Sequence, residues 1–252
     1  MQLDLLSREL VLFAAVGFVA QLIDGAAGMA YGVSATTVLL SLGVEPATAS
    51  AAVHAAEVFT TGASGLSHLW VGNVRGSLVL RLAIPGMVGG AAGAVVLSSI
   101  PAETIRPWVS LYLCLMGGLI LWKAWRPSRP TVDNPRFLPA LGLIGGFLDA
   151  AGGGGWGPIV ASTLIGGGTV PRYAIGSVNL AEFFVTSVVT ATFFVSIGLE
   201  LWPVIVGLII GGVTAAPVAA IVAKRLPSQP LMVIVGTLVI VLSLKSILVG
   251  RL

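Results

Sequence analysis

Charge is what this 252-residue chain has least of: Asp, Glu, Lys and Arg make up 9% of it, against roughly 25% in a soluble domain. That shortage excludes an ordinary water-soluble globule. Cysteine is nearly absent too. Cys114 stands alone in an apolar run, which rules out a disulfide framework and a thiolate metal site. The two histidines, His54 and His68, are too few and wrongly spaced for bis-histidine haem or zinc. No glycine run ends in Lys-Ser/Thr, so there is no phosphate loop. No Ser-His-Asp set occurs either. The reading is a protein that is not an enzyme and uses no cofactor or metal. The first residues, with Asp4, Arg8 and Glu9, lack a basic leader, so no removable signal peptide is expected. The longest polar stretch, 123–136, is too short for a soluble domain.

What remains is 56% hydrophobic, with 33 glycines and a mean hydropathy of +1.03. Apolar runs long enough to cross a bilayer, about 20 residues each, dominate. The fold class is therefore an all-α polytopic membrane protein. The net charge of +3 marks cytoplasmic loops and does not imply nucleic-acid binding.

The chain repeats itself. At an offset of 125, Gly17 meets Gly142, Asp24 meets Asp149, Gly28 meets Gly153 and Tyr31 meets Trp156. Further on, Pro46 meets Pro171, His54 meets Asn179, Glu57 meets Glu182 and Thr61 meets Thr186. One residue of slippage then aligns Gly86 with Gly212 and Pro101 with Pro227. Residues 1–126 form a first repeat and 137–252 a second, joined by a polar linker, 127–136. Each divides into about five helical segments: 7–24, 27–42, 47–70, 77–100 and 104–125, then 137–149, 156–167, 171–197, 203–223 and 229–250. The first two of each set read as short half-helices, the other three as long spans.

Equivalent loops carry opposite charge: Glu45 against Arg172, Arg75 against Glu200, Glu103 with Arg106 against Lys224 with Arg225. With positive loops inside, the repeats are inverted, the linker is cytoplasmic in a cell membrane, and both termini lie outside. Trp70, Trp108, Trp122, Trp125 and Trp202 fall near segment ends, as aromatic belts do. Trp156 does not. His68, near the end of its segment, reads as interfacial.

Asp149-Ala150-Ala151-Gly152-Gly153-Gly154-Gly155-Trp156-Gly157-Pro158 interrupts an apolar run. Each glycine costs a helix about 1 kcal/mol relative to alanine, and bare backbone at membrane depth is tolerated only under protein or beside a cavity. The stretch is a helix break, and Asp24 to Gly32 is its counterpart. Asp24 and Asp149 read as helix caps, in preference to cation ligands. A helix start aimed inward attracts anions. Inverted repeats with broken helices are a transporter architecture, with the site near the midplane. Substrate-binding candidates are Gly25, Gly28, Tyr31, His54, Gly153, Gly154, Trp156 and Asn179. Tyr31 and Trp156 either close over a ligand or fill the wedge beside the glycines. Glu57 and Glu182 either carry protons or gates, or brace the break. Polarity explains His54 better than titration does, since Asn179 stands in the equivalent place.

The glycine-rich break followed closely by proline, Gly152-Gly153-Gly154-Gly155-Trp156-Gly157-Pro158, and the repeated layout resemble the sulfite exporter TauE/SafE family. Pro46 and Pro171 at the starts of the third segments fit as well. The first copy, Asp24-Gly25-Ala26-Ala27-Gly28-Met29-Ala30-Tyr31-Gly32-Val33, departs from the pattern and lacks the proline. The resemblance implies transport of a small anion such as sulfite, a sulfonate or a related organic acid. The expectation is a secondary transporter, an exporter in the main reading, working by alternating access and proton-coupled. A passive anion channel and a non-catalytic membrane scaffold subunit stand as alternatives. The partners are that anion and the lipid bilayer; oligomeric state is not legible.

Overall fold

The computed structural model describes residues 2–125, 137–222 and 229–249. The linker 127–136 lies outside them, as do Arg126, Lys224 and Arg225. Helices α1 (Gln2–Ala27), α2 (Tyr31–Ser41), α3 (Pro46–Trp70), α4 (Gly76–Ser99) and α5 (Ala102–Ala124) come first. After the linker come α6 (Leu138–Gly152), a π-helical turn (Gly157–Ala161) continuing into α7 (Ser162–Gly166), then α8 (Pro171–Ile197), α9 (Trp202–Val222) and α10 (Gln229–Val249). No strand occurs among the described residues.

The chain is an all-α polytopic membrane protein. Among the described residues, Gly76–Ser99, Ala102–Ala124, Pro171–Ile197 and Trp202–Ala219 are long and apolar enough to cross a bilayer. Their outward faces carry large exposed apolar side chains, including Leu80, Ile84, Val88, Leu115, Phe194 and Val195. In water such a surface would be an aggregation patch; in lipid it is ordinary. Trp70, Trp108, Trp122, Trp125 and Trp202 are exposed near helix ends, whereas Trp156 is fully buried. His68, expected at the interface, is buried instead, and its Nδ1 lies 3.3 Å from the Asn73 side chain. The loop after α3 folds back and covers it.

Three segments differ in extent from the sequence reading. At 26 residues, α1 is a full-length helix and not the half-helix expected. Helix α2 starts at Tyr31 and not at 27, and α6 runs long. The first was expected to stop at residue 24, yet α1 runs on through Asp24 to Ala27. Gly25 is tolerated there because it is a contact point, its missing Cβ leaving room for Ala219. Likewise α6 continues past Asp149 to Gly152. Pro46 and Pro171 open α3 and α8 in the first turn, where a missing N–H costs nothing.

Small residues set the helix pairs. A Cβ on Gly17 would strike Leu208, and one on Gly142 would strike Leu82. Leu82 and Leu208 are themselves equivalent, so α1 sits on α9 as α6 sits on α4. Both pairs run parallel: Gly86 meets Gly146 and Gly93 meets Phe147 and Ala150, while Gly211 meets Ala14 and Gly25 meets Ala219. The equivalent helices themselves pair antiparallel. Gly62 faces Phe183 while Gly65 faces Leu180, joining α3 to α8. Ser110 bonds Ser246 at 3.0 Å while Gly117 packs on Gly236 and Val239, joining α5 to α10. With no hydrophobic drive between helices in lipid, such close backbone approach supplies the dispersion contact that holds them.

Candidate functional site

Both helix breaks are present, and they meet. The first spans Gly28, Met29 and Ala30, with φ of 70° at Gly28 and 132° at Ala30. The second spans Gly153, Gly154 and Gly155, with φ of 74°, 133° and 146°. These angles explain the glycine run, because side chains rarely adopt them. A Cβ on Gly32 would stand 3.0 Å from Gly154 Cα, and one on Gly157 would stand 2.7 Å from Met29 Cα. The breaks therefore touch backbone to backbone.

Asp24 and Asp149 serve the breaks, though from the last turn of the preceding helix and not as N-cap residues. Asp149 Oδ1 accepts the Trp156 amide at 2.8 Å; Asp24 Oδ1 faces the Tyr31 amide at 3.5 Å. Each carboxyl lies against the positive end of the helix that follows. The aromatic residues that open those helices are buried wedges. Tyr31 donates its hydroxyl to Leu208 O at 3.1 Å, and Trp156 donates Nε1 to Val178 O at 3.3 Å. Tyr31 fills the space over Gly212, Trp156 the space over Gly86 and Gly145. Gly25 packs on Ala219 at the end of α1, Gly28 beside Ile175, and Gly153 beside Thr36. The π-helical turn begins at Gly157-Pro158, with the proline in its first turn.

His54 and Asn179 hold equivalent positions with one shared contact. His54 Nδ1 lies 2.8 Å from Ser50 O; Asn179 Nδ2 donates to Ile175 O at 3.0 Å. Each thus bonds the carbonyl four residues back. Beyond that they diverge. His54 Nε2 sits 3.2 Å from Asp149 Oδ2 and 3.9 Å from Glu57 Oε2. Ser50 O only accepts, so Nδ1 carries a hydrogen. The Nε2···Oδ2 contact then needs one more proton, on the ring or on the carboxyl. Glu57 Oε2 and Asn179 Oδ1 are buried without a hydrogen-bond partner. Asp24, Glu57, Asp149 and Glu182 lie within electrostatic reach of one another, and all four are buried. Thr61 and Thr186 donate to the backbone carbonyls of Glu57 and Glu182, a further contact the equivalent positions share.

Ser50 and Tyr112 were not singled out from the sequence. Ser50 Oγ donates to Ala150 O at 2.9 Å, tying α3 to the end of α6. Its place one turn before His54 was the available signal. Tyr112 packs on Gly152 and Gly155, from a helix with no polar pattern to mark it. No group of three His, Cys, Asp or Glu suited to a metal occurs among the described residues.

A membrane-embedded fold with two facing helix breaks and a buried acidic cluster is that of a membrane transporter. The sulfite exporter TauE/SafE family matches residues 13–246, and the chain belongs to that family. It is 41% identical over 250 residues to the probable membrane transporter protein YtnM of Bacillus subtilis (strain 168), covering 96% of this chain and 83% of that protein. No solved structure matches it.

Proposed function

We propose that the protein is a secondary transporter, working as an exporter, for a small organosulfur or sulfite-like anion. Its two halves act as inverted repeats, 1–126 and 137–252, which rock about the central breaks. The observation that carries this reading is the meeting of the two breaks. Gly32 and Gly154 touch, each beside a helix start whose first amide is answered by an aspartate. The antiparallel pairing of α3 with α8 and of α5 with α10 supports the inverted relation.

In this state the breaks fill one another's space, so an anion reaches the helix starts only when the halves part. Parting exposes amides and helix dipoles to the solute. Four carboxyls around the same point repel an anion unless they hold protons. A proton moving with the substrate removes that conflict, with Glu57, Glu182 and the His54–Asp149 pair as its carriers. The family name supports sulfite as the first anion to try.

The test is uptake and efflux in proteoliposomes under an imposed pH gradient. Uphill movement of sulfite or a sulfonate supports the reading. Strictly downhill flux, indifferent to protons, would replace it with a channel. Glu182→Gln is expected to flatten the pH dependence while protein yield stays normal. Unchanged pH dependence with poor yield would make Glu182 a structural brace.

A further inference from the structure

The two ends of the α3–α8 pair are equivalent in sequence and opposite in character. At the 125-residue offset, Ala47, Thr48 and Ala51 meet Arg172, Tyr173 and Gly176. Beside the start of α3 lies a cavity of about 280 Å³, lined by Thr48, Ala51, Leu97, Gly198 and two acids, Glu45 and Glu200. Beside the start of α8 the corresponding loop is drawn shut. A Cβ on Gly176 would run into the Asn73 carbonyl, and Ser177 Oγ accepts the Arg75 amide at 2.8 Å. Arg75 and Arg172 both lie over the Tyr173 ring, their guanidinium carbons 4.5 and 4.7 Å from its centroid. Arg172 also donates to the Tyr173 hydroxyl at 3.0 Å. The arginines are exposed and Tyr173 is half-buried.

Two cations are gathered on one ring. Each guanidinium presents a planar fork of donors matched to an oxyanion. Arg75 directly precedes α4 and Arg172 lies in the first turn of α8, so two helix dipoles reinforce the same positive field. Asn179 lies one helical turn beyond Gly176 on the same face of α8.

We infer that Arg75, Arg172 and Tyr173 form a capture site and gate for an oxyanion at the mouth of α8. An arriving sulfite, sulfonate or carboxylate competes with the ring for both guanidiniums. Tyr173 is released, the loop lifts from Gly176, and the path toward Asn179 opens. The cavity at the opposite mouth is lined by Glu45 and Glu200, and its nearby Arg106 is engaged by the carbonyls of Gly43 and Val44, so that mouth holds an anion less well. Loop charge puts the arginine mouth on the cytoplasmic face, and that order of capture and release is export. The inference rests on the transporter reading and names where its substrate is first held.

The experiment is sulfite flux in inside-out and right-side-out membrane vesicles carrying the full chain. R75Q/R172Q is expected to raise the KM for sulfite about tenfold or more from the arginine face. From the acidic face the KM should stay within about twofold, since no guanidinium is lost there. R75K/R172K, which keeps charge and loses the fork, should fall between. Equal changes at both faces, or none, would overturn the gate. Should R75Q/R172Q fail to reach the membrane, a salt series on the unaltered protein decides instead. A KM that rises with NaCl more steeply from the arginine face supports the site, and equal slopes refute it. No flux of sulfite, a sulfonate or a carboxylate from either face would remove the transporter reading, and the gate with it.

Discussion

In the second half Asp149 holds the Trp156 amide at 2.8 Å and His54 at 3.2 Å, on a backbone of three glycines in left-handed or extended positive-φ geometry. In the first half Asp24 reaches the Tyr31 amide only at 3.5 Å, and Ala30 takes the φ of 132° where its counterpart is Gly155. The second break is tightly bonded and unstrained; the first is loosely bonded and strained. A symmetric plan has thus been filled with unequal chemistry. If the halves part during transport, the first break is the one that yields. His54 deepens the inequality, because Asn179 repeats its bond to the i−4 carbonyl but has no ring nitrogen to offer Asp24.

The largest expected effect separates the two aspartates. Asp149→Ala removes a partner of both Trp156 and buried His54, and should cost about 3–5 kcal/mol. Asp24→Ala should cost about 1 kcal/mol, the worth of one long hydrogen bond. Thermal unfolding in detergent measures both, and equal losses would break the comparison. Next comes Gly154→Ala. Its Cβ would enter the backbone of Gly32 and Val33 at a φ of 133°, a cost of about 3 kcal/mol, seen as a lower Tm.

His54→Asn sharpens the comparison by making the halves alike. The bond to Ser50 O can be kept and the Nε2 contact to Asp149 is lost, a penalty of about 2 kcal/mol. Transport that keeps its rate and pH profile would make His54 a polar strut; a flattened profile would place the moving proton on the His54–Asp149 line. The smallest effect has the opposite sign. Ala30→Gly should stabilise by up to about 1 kcal/mol, since glycine accepts the angle that alanine resists. Hydrogen exchange gives an independent measure: the Tyr31 amide should exchange faster than the Trp156 amide, and the reverse order would contradict the ranking.

Much of this was legible because membranes leave few options. Apolar length gave the spans to within a few residues at α3, α4, α5 and α8, since only a helix satisfies its own backbone in lipid. The end of α1 was not legible. Asp24 and Gly25 look like a stop, yet Gly25 lies inside α1, where it packs closely on Ala219. The aspartates read as caps from composition, but their position one helix earlier depends on how the chain turns at Gly28 and Gly153. His68 looked interfacial because distance along a helix is visible in sequence while the loop that covers it is not.

By itself the sequence determined that the chain lives in lipid and where its helices are interrupted, because hydropathy and glycine act locally. Only the tertiary structure decided that the interruptions touch, that His54 meets Asp149 from the other half, and that Arg75 and Arg172 share one tyrosine. Those contacts join residues far apart in the chain, where pairing is fixed by packing geometry and not by any local preference of the residues concerned.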